Sequence, residues 1–268
     1  MRRLISYMWH REAGDTLQWR GPRVRSLVRF SVIAGLTVIT IASALNRDVI
    51  REMLITTTTD AGLKLDRIEV HGRSHTPKRL ILASSELTLG QPMLEISLAK
   101  VYRQIIAIGW IKEVVVEREM PSTIRLILVE RVPLALLQTI DGHRVIDDKG
   151  TIITGADPAA FSHLTVVSGK SAASQAATIL NILKTEPELF AEVWAISLQS
   201  ERRWDVHLRS GIRVRLPESD PQTAWSRLAI IDHSKNITAR DLAVIDMRFP
   251  DQMIVEPNIP VRGKGSKT

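Results

Sequence analysis

The seven histidines, at 10, 71, 75, 143, 163, 207 and 233, are the first residues to test for chemistry. An imidazole titrates near neutrality and is the commonest nitrogen ligand for metals. Only His71 and His75 stand at a ligand-like spacing; they flank a turn signal, where surface histidine is the plainer reading. There is no cysteine, which removes thiolate ligands, thiol nucleophiles and disulfides together. After residue 46 the chain contains no G-x-S-x-G, H-E-x-x-H or G-x-G-x-x-G. Asp147-Asp148 sits where a turn needs short polar side chains, Glu117-Arg118-Glu119 continues a strand pattern, and the tail GKGSKT lacks the full spacing of a phosphate loop. No cofactor, metal site or small-molecule substrate is expected, which favours a binding role over an enzyme.

One segment has residue types suited to binding. IDMRFPDQMIV, Ile245 to Val255, is an apolar run, an Arg-Phe pair, a proline and a second apolar run. Arg248 can pair with a carboxylate and Phe249 can fill a pocket, and both types are prominent at interfaces. Pro250 has no N–H to donate and so limits uncontrolled strand pairing.

The elements that would position this segment fall into two groups. Residues 65–133 read as strand, helix, helix, strand, strand. Arg67–His71 alternates in character, and Gly72 ends it. A helix is predicted over Pro77–Glu86 with Thr76 as cap. A turn follows at Leu89-Gly90-Gln91-Pro92, and then a helix over Glu95–Ile108 with Leu98, Val101, Tyr102 and Ile105 on one stripe. Lys112–Glu119 and Thr123–Glu130 form a hairpin through Met120-Pro121-Ser122.

Residues 134–257 contain more strands than helices. Predicted strands cover Leu134–Thr139, His143–Asp147, Thr151–Thr154 and Val193–Gln199. A hairpin joins Trp204–Leu208 to Ile212–Leu216 through Ser210-Gly211. Helices are predicted over Ser171–Lys184, with Ala172, Ala176, Ile179, Leu180 and Leu183 inward, and over Pro221–Ser234, with Ala224, Leu228 and Ile231 inward. The expected fold class is α+β: a compact β-α-α-β-β unit, then a mixed α/β domain dominated by antiparallel sheet.

The net charge of +7 at first suggests nucleic acid, but its distribution argues otherwise. Residues 1–29 hold seven Arg against Glu12 and Asp15, and the tail adds Arg262, Lys264 and Lys267, which leaves 26 basic and 27 acidic residues between 30 and 261. From Phe30 to Asn46 there are 17 residues without a charge, a helix of about 25 Å that a snorkelling Arg29 extends across a bilayer. The N-terminal arginines put residues 1–26 in the cytoplasm, a single transmembrane helix at 27–46, a spacer at 47–64 and the rest outside. The rival is a signal peptide cleaved after Ala42-Ser43-Ala44; the 29 residues before the apolar run favour the anchor. Residues 258–268 read as a flexible tail.

Five stretches in order carry a family resemblance: IEVHG at 68–72, GWIKEVVVEREMPSTIRLILVERVPLA at 109–135, VIDDKGTII at 145–153, RRWDVHLRSGIRVRLP at 202–217 and VIDMRFPDQMIV at 244–255. With the anchor and the element order, they make the chain resemble the FtsQ/DivIB family of bacterial cell-division proteins, whose first outer module is a POTRA domain. Departures occur at Gly109, where the family often has Pro, at Met120 (Trp) and at Pro217 (Gly). The resemblance implies a non-enzymatic, bitopic inner-membrane scaffold at the septum, with its C-terminal domains periplasmic. Its POTRA domain would contact other divisome proteins, through faces around Ile68 to Arg79. The edge of its β domain would receive FtsB and FtsL. The implied partner-binding residues are Arg248, Phe249, Met253 and Ile254, with Arg202 and Arg203 assisting from the neighbouring hairpin. An anchored periplasmic enzyme and a POTRA-type polypeptide-transport factor are the alternatives. N-terminal sequencing of protein from the membrane fraction is expected to show an uncleaved start; a start near residue 45 would instead identify a signal peptide.

Overall fold

The computed structural model describes residues 32–37, 52, 57 and 62–258. The chain divides into two units, Met1–Leu63 and Lys64–Thr268. In the first, residues 32–37 are helical and exposed; the remainder of the expected span at 27–46 and nearly all of the spacer lie outside the described residues. Among the described residues no helix is long and apolar enough to cross a membrane.

The second unit begins with a three-stranded sheet. Its elements are β1 (Arg67–His71), α1 (Lys78–Ser85), α2 (Leu98–Ile106), β2 (Ile111–Glu119) and β3 (Thr123–Glu130), with strand order β1-β3-β2. β2 and β3 form the expected hairpin, whereas β1 runs parallel to β3. That parallel pairing requires a crossover, which the two helices supply. Period-two alternation puts Ile124, Leu126 and Leu128 of β3 into a core with Ile81 of α1 and Val101 and Ile105 of α2. Gly72 has φ +79, and a Cβ there would lie 2.0 Å from the Leu128 carbonyl oxygen, so the close approach of β3 requires glycine at the end of β1.

Several local expectations are corrected. Thr76 does not cap α1; Pro77 is the cap residue and makes no side-chain bond. The amides of His75 and Thr76 donate instead to Glu130 at 2.7 and 2.8 Å. α2 starts at Leu98 rather than Glu95, because a short 3-10 turn at Met93–Glu95 comes first and the Ser97 hydroxyl caps the helix by accepting from the Lys100 amide. Tyr102 leaves the buried stripe and is 45% exposed.

The larger sheet has eight strands in the order β11-β10-β9-β8-β7-β6-β4-β5. These are β4 (Ala135–Thr139), β5 (Gly142–Ile146), β6 (Val166–Ser168), β7 (Val193–Gln199), β8 (Arg203–Leu208), β9 (Arg213–Arg215), β10 (Leu242–Asp246) and β11 (Ile254–Pro257). Helices α3 (Ala172–Leu183), α4 (Pro187–Ala191) and α5 (Pro221–Lys235) accompany them. One core contains α3, the Trp225 and Leu228 side chains of α5, and the inward residues of β7 to β10. The Trp225 indole N–H donates to the Leu183 carbonyl at 3.0 Å and joins the two helices. The sheet is more evenly mixed than expected: β4–β6, β6–β7 and β9–β10 are parallel. Thr151–Thr154 contributes only an isolated bridge, Ile146 to Ile152.

The junction between the sheets is built from Trp110, Arg131 and Asp147, with Glu130 holding the His75 loop beside Trp110. Trp110 stacks on His75 with centroids 4.4 Å apart and packs against Phe161. Arg131 Nη1 donates to the fully buried Asp147 at 2.6 Å. The other Asp147 oxygen accepts from the amides of Lys149 and Thr151, closing its own turn. A Cβ at Gly109 would lie 2.4 Å from the Thr154 carbonyl oxygen, so this contact requires glycine. Burial opposes ionisation of Glu130, but the His75 and Thr76 hydrogen bonds outweigh it and lower its pKa to about 2. A depressed carboxyl contributes stability above its unfolded value, near 4.5, and loses it as pH falls through the folded value. Stability is therefore expected to decline between pH 4.5 and about 2. Glu130→Gln should flatten that decline and cost about 2 kcal/mol at neutral pH, measured by denaturant unfolding.

Candidate partner-binding edge

β11 is the outermost strand of the larger sheet, bonded on one side to β10 only. All four of its residues are exposed. Among the described residues nothing pairs with its other side, which presents its backbone donors and acceptors outward. The two strands pair antiparallel, with Asp246 opposite Ile254 and Ile245 opposite Val255.

Between them the chain turns through Met247 to Met253. Met247 is buried and Met253 packs on the core, which anchors both ends of the turn. Arg227 of α5 donates to the Phe249 carbonyl at 2.9 Å and reaches the Gln252 carbonyl at 3.4 Å. Phe249 is 47% exposed, so its ring belongs to the surface and not the core.

Asp246 organises the charges here. It is 4% exposed and accepts from the Arg248 backbone N–H at 3.1 Å and from Arg248 Nε at 2.9 Å. Arg215 lies 3.7 Å from the same carboxylate and 3.4 Å from Glu256. The Arg248 hydrogen bond lowers the Asp246 pKa against the effect of burial, and Asp246 in turn raises that of Arg248. Arg248 is therefore already paired within the chain, and an incoming carboxylate would share it with Asp246.

Arg248, Phe249 and Ile254 lie on this rim, whereas Met253, expected with them, turns onto the core. Arg202 and Arg203 do not lie on it either. Arg203 belongs to β8, three strands in from β11, and Arg202 lies in the turn before it, 4.0 Å from Glu218. Sequence reasoning missed Asp246, Arg215 and Arg227. Alternation in β9 and β10 marks Arg215 and Asp246 as sharing a face, but their pairing needs the parallel register Asp246–Arg215, which is not local information.

The outer face of β7 and β8 brings Ser197, Asp205 and His207 together, as a hydrolytic triad would. Ser197 Oγ lies 2.9 Å from His207 Nε2. A triad, however, needs a carboxylate bonded to the other imidazole nitrogen. No hydrogen bond joins Asp205 to His207, and one Asp205 oxygen is buried without a partner. Burial raises the Asp205 pKa against Arg213, Arg215, His207 and Arg203, the reverse of a charged orienting group. Ser97 and Lys100, which match S-x-x-K in spacing, are also engaged structurally: Ser97 caps α2 and Lys100 pairs with Glu86 at 2.7 Å. His71 and His75 contact different carboxylates, Glu69 and Glu130. Among the described residues no group of three potential ligands could hold a metal.

Two family models match: "POTRA domain, FtsQ-type" over residues 63–131 and "Cell division protein FtsQ/DivIB, C-terminal" over 135–248. Cell division protein FtsQ of Caulobacter vibrioides is 36% identical over 201 residues, covering 75% of this chain and 67% of that one. The chain belongs to the FtsQ/DivIB family of cell-division proteins. FtsQ of Bradyrhizobium diazoefficiens is 30% identical over 196 residues, 73% of this chain and 57% of its own. FtsQ of Rickettsia conorii is 28% identical over 201 residues, 75% and 74% respectively. The extracytoplasmic domain of DivIB from Geobacillus stearothermophilus overlaps 40% of this chain and 95% of its own, at 13% identity and a TM-score of 0.27, too slight a likeness to establish the fold.

The FtsQ/DivIB match stops at Arg248, just before Phe249 and β11. In this FtsQ/DivIB protein the turn leading into β11 carries the ion pairs of Asp246 with Arg248 and Arg215. Asp246→Asn is expected to lower stability by about 2 kcal/mol in denaturant unfolding. It should also raise hydrogen exchange in the turn at 247–253 more than in α3.

Proposed function

We propose that this protein is a non-enzymatic scaffold of the divisome that captures FtsB, with FtsL, by adding a partner strand to β11. In this reading residues 1–26 are cytoplasmic, 27–46 form the inner-membrane anchor, and the folded unit stands in the periplasm at the septum. The POTRA module at 65–133 meets other division proteins, and the β domain at 134–257 carries the FtsB site. The observation that carries this reading is the open side of β11 beside a half-exposed Phe249.

The energetics call for both parts of that site. Each backbone hydrogen bond contributes only about 0.5–1.5 kcal/mol net. A four-residue strand makes too few of them to offset the cost of ordering two partners. Side-chain anchors must supply the rest, and Phe249, Ile254 and Val255 are each more than 40% exposed beside the open backbone. Arg248 adds a cation whose position Asp246 fixes before any partner arrives.

Phe249→Ala is expected to weaken FtsB binding about 30-fold while leaving the thermal midpoint unchanged, read by affinity titration and thermal unfolding of the same sample. Arg248→Ala should weaken it less and reduce its salt dependence. Wild-type affinity in both variants would remove β11 as the capture site.

A further inference from the structure

The three-stranded sheet covers one face with α1 and α2. A solvated opposite face of such a sheet is ordinarily polar, yet here its centre is aliphatic. Val115 pairs across the strands with Ile127, and Val129 follows on the same face. Their exposures are 51%, 37% and 48%. Cross-strand packing of β-branched residues stabilises a hairpin, which accounts for one such pair but not for its flanks.

Those flanks are acidic. Glu113 is opposite Val129, and Glu117 is two residues beyond Val115. Both are exposed, and neither makes an ion pair among the described residues. Arg125 stands directly opposite Glu117 in the β2–β3 register, but its guanidinium is held between Glu69 at 3.5 Å and Glu119, and Glu113 has no cation paired with it among the described residues. Strand geometry separates Glu113 and Glu117 by about 13 Å along β2, with Val115 midway. The result is an apolar strip with a carboxylate near each end, Glu113 without a cation in contact and Glu117 beside an Arg125 already shared by two other glutamates.

We propose that this face docks a basic amphipathic helix of a partner polypeptide. Its apolar stripe would lie on Val115, Ile127 and Val129, and its cations on Glu113 and Glu117. Two helical turns rise about 11 Å, so lysines two turns apart bracket the two carboxylates once their flexible stems extend. An anionic membrane surface or an acidic segment is repelled by the same charges. The site lies in a different sheet from β11, so a partner here and a strand at β11 do not compete for the same residues.

The test uses the full chain in detergent micelles and two synthetic helical peptides, one of leucine with lysines two turns apart and one with glutamates in their place. Fluorescence anisotropy is expected to show binding of the lysine peptide only. Val115→Ser/Ile127→Ser should weaken it about tenfold, and Glu113→Gln/Glu117→Gln should do the same while flattening its salt dependence. FtsB capture should remain at wild-type affinity in both. Should the serine variant fail to fold, the surface glutamine variant decides the matter alone. Equal binding of the two peptides, or undiminished affinity in the glutamine variant, overturns the proposal.

Discussion

The carboxylate of Asp246 holds together a part of the sheet that burial alone would not hold. β11 has one neighbouring strand and no buried residue, so little apolar free energy fixes its place. Besides its ladder with β10 and the two methionines that anchor the turn, a set of charge-assisted bonds holds it: Asp246 to Arg248 and Arg215, and Arg227 to two turn carbonyls. Because Asp246 is nearly inaccessible, these bonds operate at lower effective dielectric than an ordinary surface pair. The same contacts aim Arg248 and Phe249, so the chain itself sets the shape of the rim.

A comparable arrangement fixes the two sheets to each other. Trp110 leaves the first module and packs among Phe161, Leu164 and Val166 of the second. Arg131 reaches the buried Asp147, and Glu130 gathers the loop between β1 and α1. Aromatic packing and two ionised carboxylates thus meet within a short span of chain. The open faces of the two modules are held at a set spacing by rigid contacts and not by a linker.

Much of this was legible because it is local. The five inward residues named for α3 are the five that are buried. The Trp204–Leu208 hairpin closes at Ser210-Gly211 through the bonds its alternation implies. The rest depends on partners distant in sequence. β6 is three residues long and α4 five, below the length at which periodicity speaks. The parallel pairings depend on crossovers. Thr76 looked like a cap because nothing nearby announced that Glu130, fifty-four positions later, would claim its amide. Phe249 and Arg248 were readable by type, whereas the Asp246 pairing and the distance of Arg203 from the rim required the strand order.

The order in which the larger sheet grows follows from its topology. β11 finds its place only on β10, and β10 joins β9 through the α5 crossover, so the rim is completed after the strands that precede it in the chain. A molecule stalled partway through maturation would carry a hydrophobic core and a recognisable first module, yet offer a visitor no strand to align with. Were a partner strand received at this rim, only copies that had completed β10 and β11 could receive it.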